Sequence, residues 1–525
     1  MKKLISLMLS VFLLVCCFGG CKAGGAANST TDVEISYWNS GYGREWMDLL
    51  VEEFNKTQST YKATLYPTAT PGGKEIYLEK EDNTTDLYLT TMETRYEYVE
   101  HLEPLDDLLE RKPDGADGLT IKQKLNGFAE NNTYEGDGKV YSLSWTTGGL
   151  TGLLYNKDLF MKEDGTPFTL PRTTDELVEL CEQINLYGKN KTPFVHYLGN
   201  WYYVFEAWVA QLDGVDNYYK NWKGIYVDEN GVEHPNDVRI VTESKGREET
   251  YKVLEKLLAP KGYMYDGTNI INHTTSQTYF LDGAAVMQPN GSWVENEMKS
   301  LDSNVKIGVM KTPVISAFAD KISTAENPVD EDALRLLVDY VDGVTLESED
   351  VTYVTENFTD AQIAAVKEAR GVYYSGRTSD VLIPKYSICK DGAKAFLEFF
   401  YSDKGLEIMQ NSLKTFTGLT YSHPENHVID QSGWSDFMKE VGAIRETENT
   451  QIITTNLNSK IFYRGGVLQL FDGSGTAGTH HPIKKLGYIE NEQDMETAAE
   501  YWAEEVKLWE ANWPDILKKA GIANN

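Results

Sequence analysis

Residues Val140–Phe160 read VYSLSWTTGGLTGLLYNKDLF, and this stretch decides the fold. Tyr141, Leu143 and Trp145 alternate with Ser142 and Ser144, the period-2 pattern of a half-buried strand. Thr146-Thr147-Gly148-Gly149 follows, a small polar corner whose glycines admit unusual backbone angles. A second apolar run, Leu150–Tyr155, ends at Asn156-Lys157-Asp158. The order is strand, flexible corner, strand, turn.

The pattern repeats outward. Asp32–Trp38 alternates Val33, Ile35 and Tyr37 as a strand, and Arg44–Thr57 carries Met47, Leu50, Val51 and Phe54 at helical spacing. Lys62–Tyr66 and Asp86–Leu89 read as further strands, and Val99–Leu109 as a turn into a short helix. Strand and helix in alternation predict a mostly parallel sheet with covering helices. Beyond the crossover, Thr173–Glu176 has capping-box spacing ahead of a helix to Asn185. Trp201–Gln211 is a dense aromatic helix, and Asp228–Glu233 is a hairpin signal centred on Asn-Gly. The aromatic stripe of Tyr501–Ala520 reads as a core-packing helix. With 525 residues and 41% hydrophobic content, two large lobes are the natural partition.

Three motifs, in order along the chain, resemble the bacterial extracellular solute-binding proteins (family 1), the carbohydrate-binding branch of the ABC importers. The first is the crossover itself, glycine and apolars followed by Tyr-Asn-Lys-Asp-Leu-Phe. The second is Thr278–Trp293, where an aromatic and Asp-Gly lead into a strand and then Asn-Gly-Ser-Trp opens a helix. The third is Val381–Tyr401, VLIPKYSICKDGAKAFLEFFY, a strand and Ile-Pro followed by a sheet-packing helix. The resemblance implies a two-lobe α/β fold of the periplasmic-binding-protein type (type II), each lobe a mostly parallel sheet flanked by helices. It implies ligand capture between the lobes, closure on binding, and delivery to a membrane permease. The expected N-terminal lobe is 32–148 with 311–410 and the expected C-terminal lobe 149–310 with 411–525, with crossovers near Gly148 and Lys311.

The N-terminus reads as an export signal. Lys2 and Lys3 precede an apolar run, Leu4–Val15, too short for an ordinary membrane span. Phe18-Gly19-Gly20-Cys21 resembles a lipoprotein signal, which implies cleavage after residue 20, lipidation of Cys21 and a membrane-anchored protein on the extracytoplasmic surface. Ordinary secretory cleavage near Gly20 is the alternative. Residues 21–31 form a Gly/Ala/Ser/Thr-rich tether. Beyond the tether only Cys181 and Cys389 remain; they fall in different expected lobes, so both are expected free.

The net charge of −31 disfavours nucleic acid and fits a neutral or cationic ligand. No G-x-S-x-G, H-E-x-x-H, Walker A or strand-following G-x-G-x-x-G motif is present. Ser387–Lys390 and Ser303–Lys306 match S-x-x-K without its companion motifs, and His423 and His427 flank Pro424 in a loop. The reading is therefore a binder: no enzyme, no cofactor, no metal, a monomer. A secreted glycoside-active enzyme stays open as an alternative, because a carboxylate pair is set in three dimensions. A polar non-sugar solute, peptide or polyol, is the alternative within binders.

Sugars present apolar C–H faces and adjacent hydroxyls, which indoles stack on and carboxylates or amides bridge. The candidates are Trp293 at the loop-to-helix junction, Trp38 with Asn39 at the end of the first strand, Trp145 before the hinge glycines, and Trp201. Tyr374, Arg377 and Asp86 complete the set. Each tryptophan equally fits the core, and Asp86 equally fits a structural role. The Gly-rich Asp472–Gly478 reads as a cleft-bordering or plain surface loop.

Overall fold

The computed structural model describes residues 31–38, 42–68, 84–90, 99–125, 133–134, 136–146, 149–301, 304–375, 379–427, 430–454, 461, 481–487 and 495–522. The signal, Cys21, Asn39, Gly148, Ser303, Arg377 and the loop 472–478 lie outside these residues.

The strands are β1 (Asp32–Trp38), β2 (Lys62–Thr68), β3 (Leu87–Thr90), β4 (Leu143–Thr146), β5 (Thr151–Asn156) and β6 (Ile225–Val227). They continue with β7 (Glu233–Pro235), β8 (Met287–Gly291), β9 (Ile307–Val309), β10 (Val372–Tyr374), β11 (Ser379–Leu382) and β12 (Gln451–Ile453). Two mixed sheets form two lobes. The first has the order β2-β1-β3-β11-β4, and the second β12-β10-β5-β8 with β9 also on β5. In the first, β1 is parallel to β2 and β3, and β11 is antiparallel to β3 and β4. In the second, β10 is parallel to β12, whereas β5 is antiparallel to β8, β9 and β10. Each sheet therefore runs mostly one way with a single opposed strand, β11 or β5. Both opposed strands directly follow a passage from the other lobe. A chain that crosses straight through enters the new sheet at the edge where the other strands end, so it must run against them.

Local patterning explains each core. β1 buries Val33, Ile35 and Tyr37 on one face, and the helix Glu45–Thr57 buries Trp46, Met47, Leu50 and Phe54 against it. The helices Lys390–Phe400 and Asp403–Leu413 complete that core with Phe396, Phe400 and Met409. β5 splits its side chains between two cores. Leu153 joins Leu177, Trp208 and Leu254 on one face of the second sheet, while Leu150 and Leu154 join Phe280, Val294 and Phe437 on the other.

The pairing corrects one expectation. The chain does not return to the first lobe near Lys311. Val314, Phe318, Leu334, Leu337, Val354 and Val366 pack in the same core as Leu177 and Trp208, and Lys311 pairs with Asp342 at 2.9 Å. Strand β10 still belongs to the second sheet and β11 to the first, so the return lies at 375–378. The final passage is also later than 410. His427 faces Asp403 of the first lobe at 3.6 Å, whereas Trp434 packs in the second. Helices of an apolar, acidic-faced segment have no sheet of their own, and 318–370 finds its buried partners on the lobe it has just left.

Buried charges tie distant segments. Lys124, fully buried, pairs with Asp114 at 2.7 Å and with Asp403. In the second lobe Arg247 pairs with Glu505 at 2.5 Å and donates to Tyr251 Oη at 2.8 Å. Glu206 lies nearby, 2% exposed, with Oε2 accepting from Tyr218 Oη at 2.8 Å and Oε1 without a protein partner. Burial pushes its carboxyl up to about 7, against the opposing pull of Tyr218 and Arg247. A carboxyl raised in the folded state binds its proton more tightly than in the unfolded chain, so stability falls as pH rises from the ordinary glutamate value to about 7. Replacement by Gln should remove that fall, leaving Glu206→Gln more stable than the wild type by about 3 kcal/mol at pH 8 and near-equal at pH 4. Urea unfolding at the two pH values reads the difference.

Cys181 and Cys389 are not joined in a disulfide, and both are buried, in the cores of different lobes. Burial raises both thiols, Cys389 to about 11. Thiol titration should find neither reactive in the folded protein and both reactive after unfolding without reductant.

Candidate functional site

The carboxyl ends of the parallel strands mark where an α/β sheet offers a ligand site. In the first lobe these ends are Trp38, Thr68, Thr90 and Thr146, and in the second Gly291, Tyr374 and Ile453. The chain passes between the two sheets from β4 to β5 and from β10 to β11, next to these ends.

Trp293 stands at the centre of the second-lobe edge. It caps the short helix Val294–Glu297 directly after β8 and is partly buried. Its indole lies on backbone: a methyl added to Gly291 would meet Cζ3 at 2.3 Å, and one on Gly149 would meet Cε3 at 2.9 Å. Tyr203 packs edge-on at 5.2 Å. Only glycine at both positions, one from each side of the β5–β8 pair, lets the ring settle there.

One helical turn beyond, Glu297 N–H donates to Trp293 O at 2.9 Å. Its Oε2 accepts from Gln277 Nε2 at 2.8 Å and faces His273 Nε2 at 3.3 Å. Asn200 Oδ1 holds His273 Nδ1 at 3.1 Å. Burial raises the Glu297 carboxyl, but the bonds from His273 and Gln277 outweigh it and hold the group below the ordinary range. An ionised carboxylate therefore stands one helical turn past Trp293, its Oε2 held by Gln277 and His273. From the first lobe, Tyr42 packs edge-on against Trp145 at 5.3 Å, and burial lifts its hydroxyl to about 12. Beside Glu297, Asn296 Nδ2 donates to Leu413 O of the first lobe at 3.2 Å, so the two lobes touch here. Arg445 ends the helix Asp436–Arg445, and burial lowers its guanidinium to about 10.

The other sequence candidates separate. Trp38 ends β1 and is partly buried at the first-lobe edge. Trp145 is 1% exposed, stacked on Trp46 at 4.8 Å and closed off by Tyr42 at 5.3 Å, so it is core and Tyr42 stands before it. Trp201 is likewise core, 1% exposed between Phe194 and His196. Asp86 precedes β3 and so lies at the end of the sheet away from the cleft. It accepts from Glu34 N at 2.9 Å, Ser387 Oγ at 2.6 Å and Cys389 N at 3.3 Å and is 4% exposed, a buried structural tie. Tyr374 is buried in the joint, its carbonyl accepting from Thr151 Oγ1 at 2.5 Å. Asn39 and Arg377 are outside the described residues.

A family model described as bacterial extracellular solute-binding protein matches residues 51–430. The chain belongs to that family. Among curated relatives, the diacetylchitobiose binding protein NgcE of Streptomyces coelicolor is 25% identical over 288 residues, 53% of this chain and 55% of that protein. The multiple sugar-binding protein of Streptococcus mutans is 29% identical over 203 residues, 37% of this chain and 44% of that protein. The chain thus spans about half the length of the curated relatives it matches. A solved chitin oligosaccharide binding protein superposes with a TM-score of 0.57 at 14% identity, covering 92% of this chain and 99% of that one. Maltose-bound MalE3 of T. maritima superposes at 0.53 with 16% identity, covering 91% and 99%. These likenesses show the two-lobe fold.

For this solute-binding protein the sequence reading missed Tyr42, Glu297, His273 and Arg445. Glu297 was within reach, one helical turn from Trp293 on the same face. Tyr42 lies four residues past the end of β1. His273 and Arg445 arrive from distant segments and carry no local signal.

Gly291→Ala should displace the indole while leaving both lobes folded. Its tryptophan emission and near-ultraviolet dichroism are expected to change as they do in Trp293→Ala, with far-ultraviolet dichroism unaltered. A Gly291→Ala protein with wild-type aromatic spectra would contradict the packing.

Proposed function

We propose that this solute-binding protein captures a neutral carbohydrate in the interlobe cleft and delivers it to the permease of an ABC importer. The observation that carries the reading is the Trp293 indole laid on two glycines beside the ionised Glu297. An indole offers a flat face to sugar C–H groups, and a carboxylate accepts from hydroxyls. The names of the two curated relatives, a diacetylchitobiose binder and a multiple sugar binder, support the same class.

Residues 32–146 with 379–427 act as one lobe and 149–375 with 430–522 as the other, closing about the passages at 147–150 and 375–378. The sugar shifts this equilibrium by binding better to the closed form. Trp293, Glu297, Tyr42 and Trp38 are the ligand-binding residues. The protein works as a monomer on the extracytoplasmic face, held by a lipid on Cys21, and leaves its ligand chemically unchanged. Among the described residues no helix is long and apolar enough to cross a membrane.

Thermal unfolding against a panel of mono- and oligosaccharides tests the reading. A sugar at about a hundred times its dissociation constant should add roughly 2.7 kcal/mol, and Trp293→Ala should weaken that binding about tenfold. The bound sugar should be recovered intact after long incubation. A panel without any shift would move the ligand class to a non-sugar polar solute, and a cleaved sugar would make the protein an enzyme.

A further inference from the structure

The second-lobe wall does not stop at Trp293. The segment 193–195 lies parallel to the start of β8, with Met287 N donating to Pro193 O at 2.8 Å and Val195 N to Met287 O at 3.2 Å. Tyr197 therefore emerges at the same carboxyl edge that carries Trp293. Its ring is 38% exposed and meets His273 edge-on at 6.2 Å, and His273 is the residue that faces Glu297. Tyr197 is backed as Trp293 is: a methyl on Gly199 would lie 2.9 Å from Tyr197 Cε1.

The surroundings hold the ring out toward solvent. Thr268 Oγ1 donates to His196 O at 2.7 Å and accepts from His196 N at 2.9 Å, so the turn Thr268–Ile270 is pinned beside Tyr197. That turn carries Ile270 89% exposed. An exposed tyrosine, an exposed isoleucine on the pinned turn and a histidine–carboxylate pair thus stand on the segments next to β8. The core of the lobe has no use for them, since Trp201 and Phe194 already fill the space beneath.

Building on the carbohydrate reading, we propose that Tyr197 is a second stacking platform, so that the preferred ligand is an oligosaccharide spanning Trp293 and Tyr197. Glu297 and His273 lie between the platforms and read the hydroxyls near the linkage. A monosaccharide on Trp293 reaches Glu297 and leaves Tyr197 uncovered; a longer chain covers both rings.

The test is titration calorimetry of the purified protein with two series: glucose, maltose and maltotriose, then N-acetylglucosamine, diacetylchitobiose and triacetylchitotriose. In the series that binds, affinity should rise from mono- to disaccharide or trisaccharide. Tyr197→Ala should weaken the longer sugar about two- to tenfold and leave the monosaccharide unaffected, and Tyr197→Phe should bind as the wild type does. Because the ring is exposed, both variants should melt at the wild-type temperature. Wild-type affinity of Tyr197→Ala for the longer sugar would overturn the platform, as would equal losses for all chain lengths or a loss in Tyr197→Phe as large as in Tyr197→Ala. If the wild type binds neither series, the carbohydrate reading falls and this inference with it, a result distinct from a variant that merely fails to differ.

Discussion

The chain passes straight from one sheet into the other, first from β4 to β5 and later from β10 to β11. Everything about the site depends on that geometry. A straight passage forces the arriving strand to oppose its new neighbours, so β5 and β11 are the odd strands of their sheets. Beside the start of β5, Gly149 and Gly291 leave out the side chains that would otherwise stand there. Trp293 then occupies the room that two absent side chains leave.

The strength of the lobes contrasts with the slightness of the joint. Each lobe is cross-braced by buried ion pairs between residues far apart in the chain, Lys124 with Asp114 and Asp403 in one, Arg247 with Glu505 and Arg370 with Asp342 in the other. Such pairs add little net stability over apolar packing, yet removing one partner typically costs about 3–5 kcal/mol, so they fix which segments must sit together. Asp342 shows this best. Arg370 and Lys311 both bind it, which locks the helical segment 318–370 to the end of β9 and explains why the chain delays its return. Rigid lobes on a thin joint move as bodies.

Much of this was legible in the chain. β1, the β4–β5 corner, the Asn-Gly hairpin and the tryptophan after β8 all carry short-range signals, alternation or a demanded turn, which sequence expresses directly. The return point was not. Val305–Lys311 reads as a strand pointing back to the first lobe, and only the burial of Phe318 and Leu337 against Trp208 shows that the chain stays. Trp145 illustrates the other limit. Its position before the hinge glycines is right for a cleft, but Tyr42, brought in from a separate loop, covers it. Asp86 failed for a plainer reason: it starts its strand, and ligands gather where strands end. Which aromatic faces solvent is a three-dimensional fact, decided by what the next loop lays over it.

The contacts that already bridge the lobes bear on how closure can be driven. Asn296 Nδ2, on the helix after Trp293, donates to the carbonyl of Leu413 in the first lobe at 3.2 Å. Phe416, just past the helix Asp403–Leu413, also packs edge-on against Trp434 of the second lobe at 4.7 Å, so an apolar ring contact joins a hydrogen bond that contributes about 1 kcal/mol. Driving a two-state equilibrium from almost entirely open to almost entirely closed needs roughly 5.5 kcal/mol of preference. In the proposed mechanism a ligand that touches both lobes supplies the rest of that preference. On that proposal, a solute that covers only the indole binds without closing the lobes.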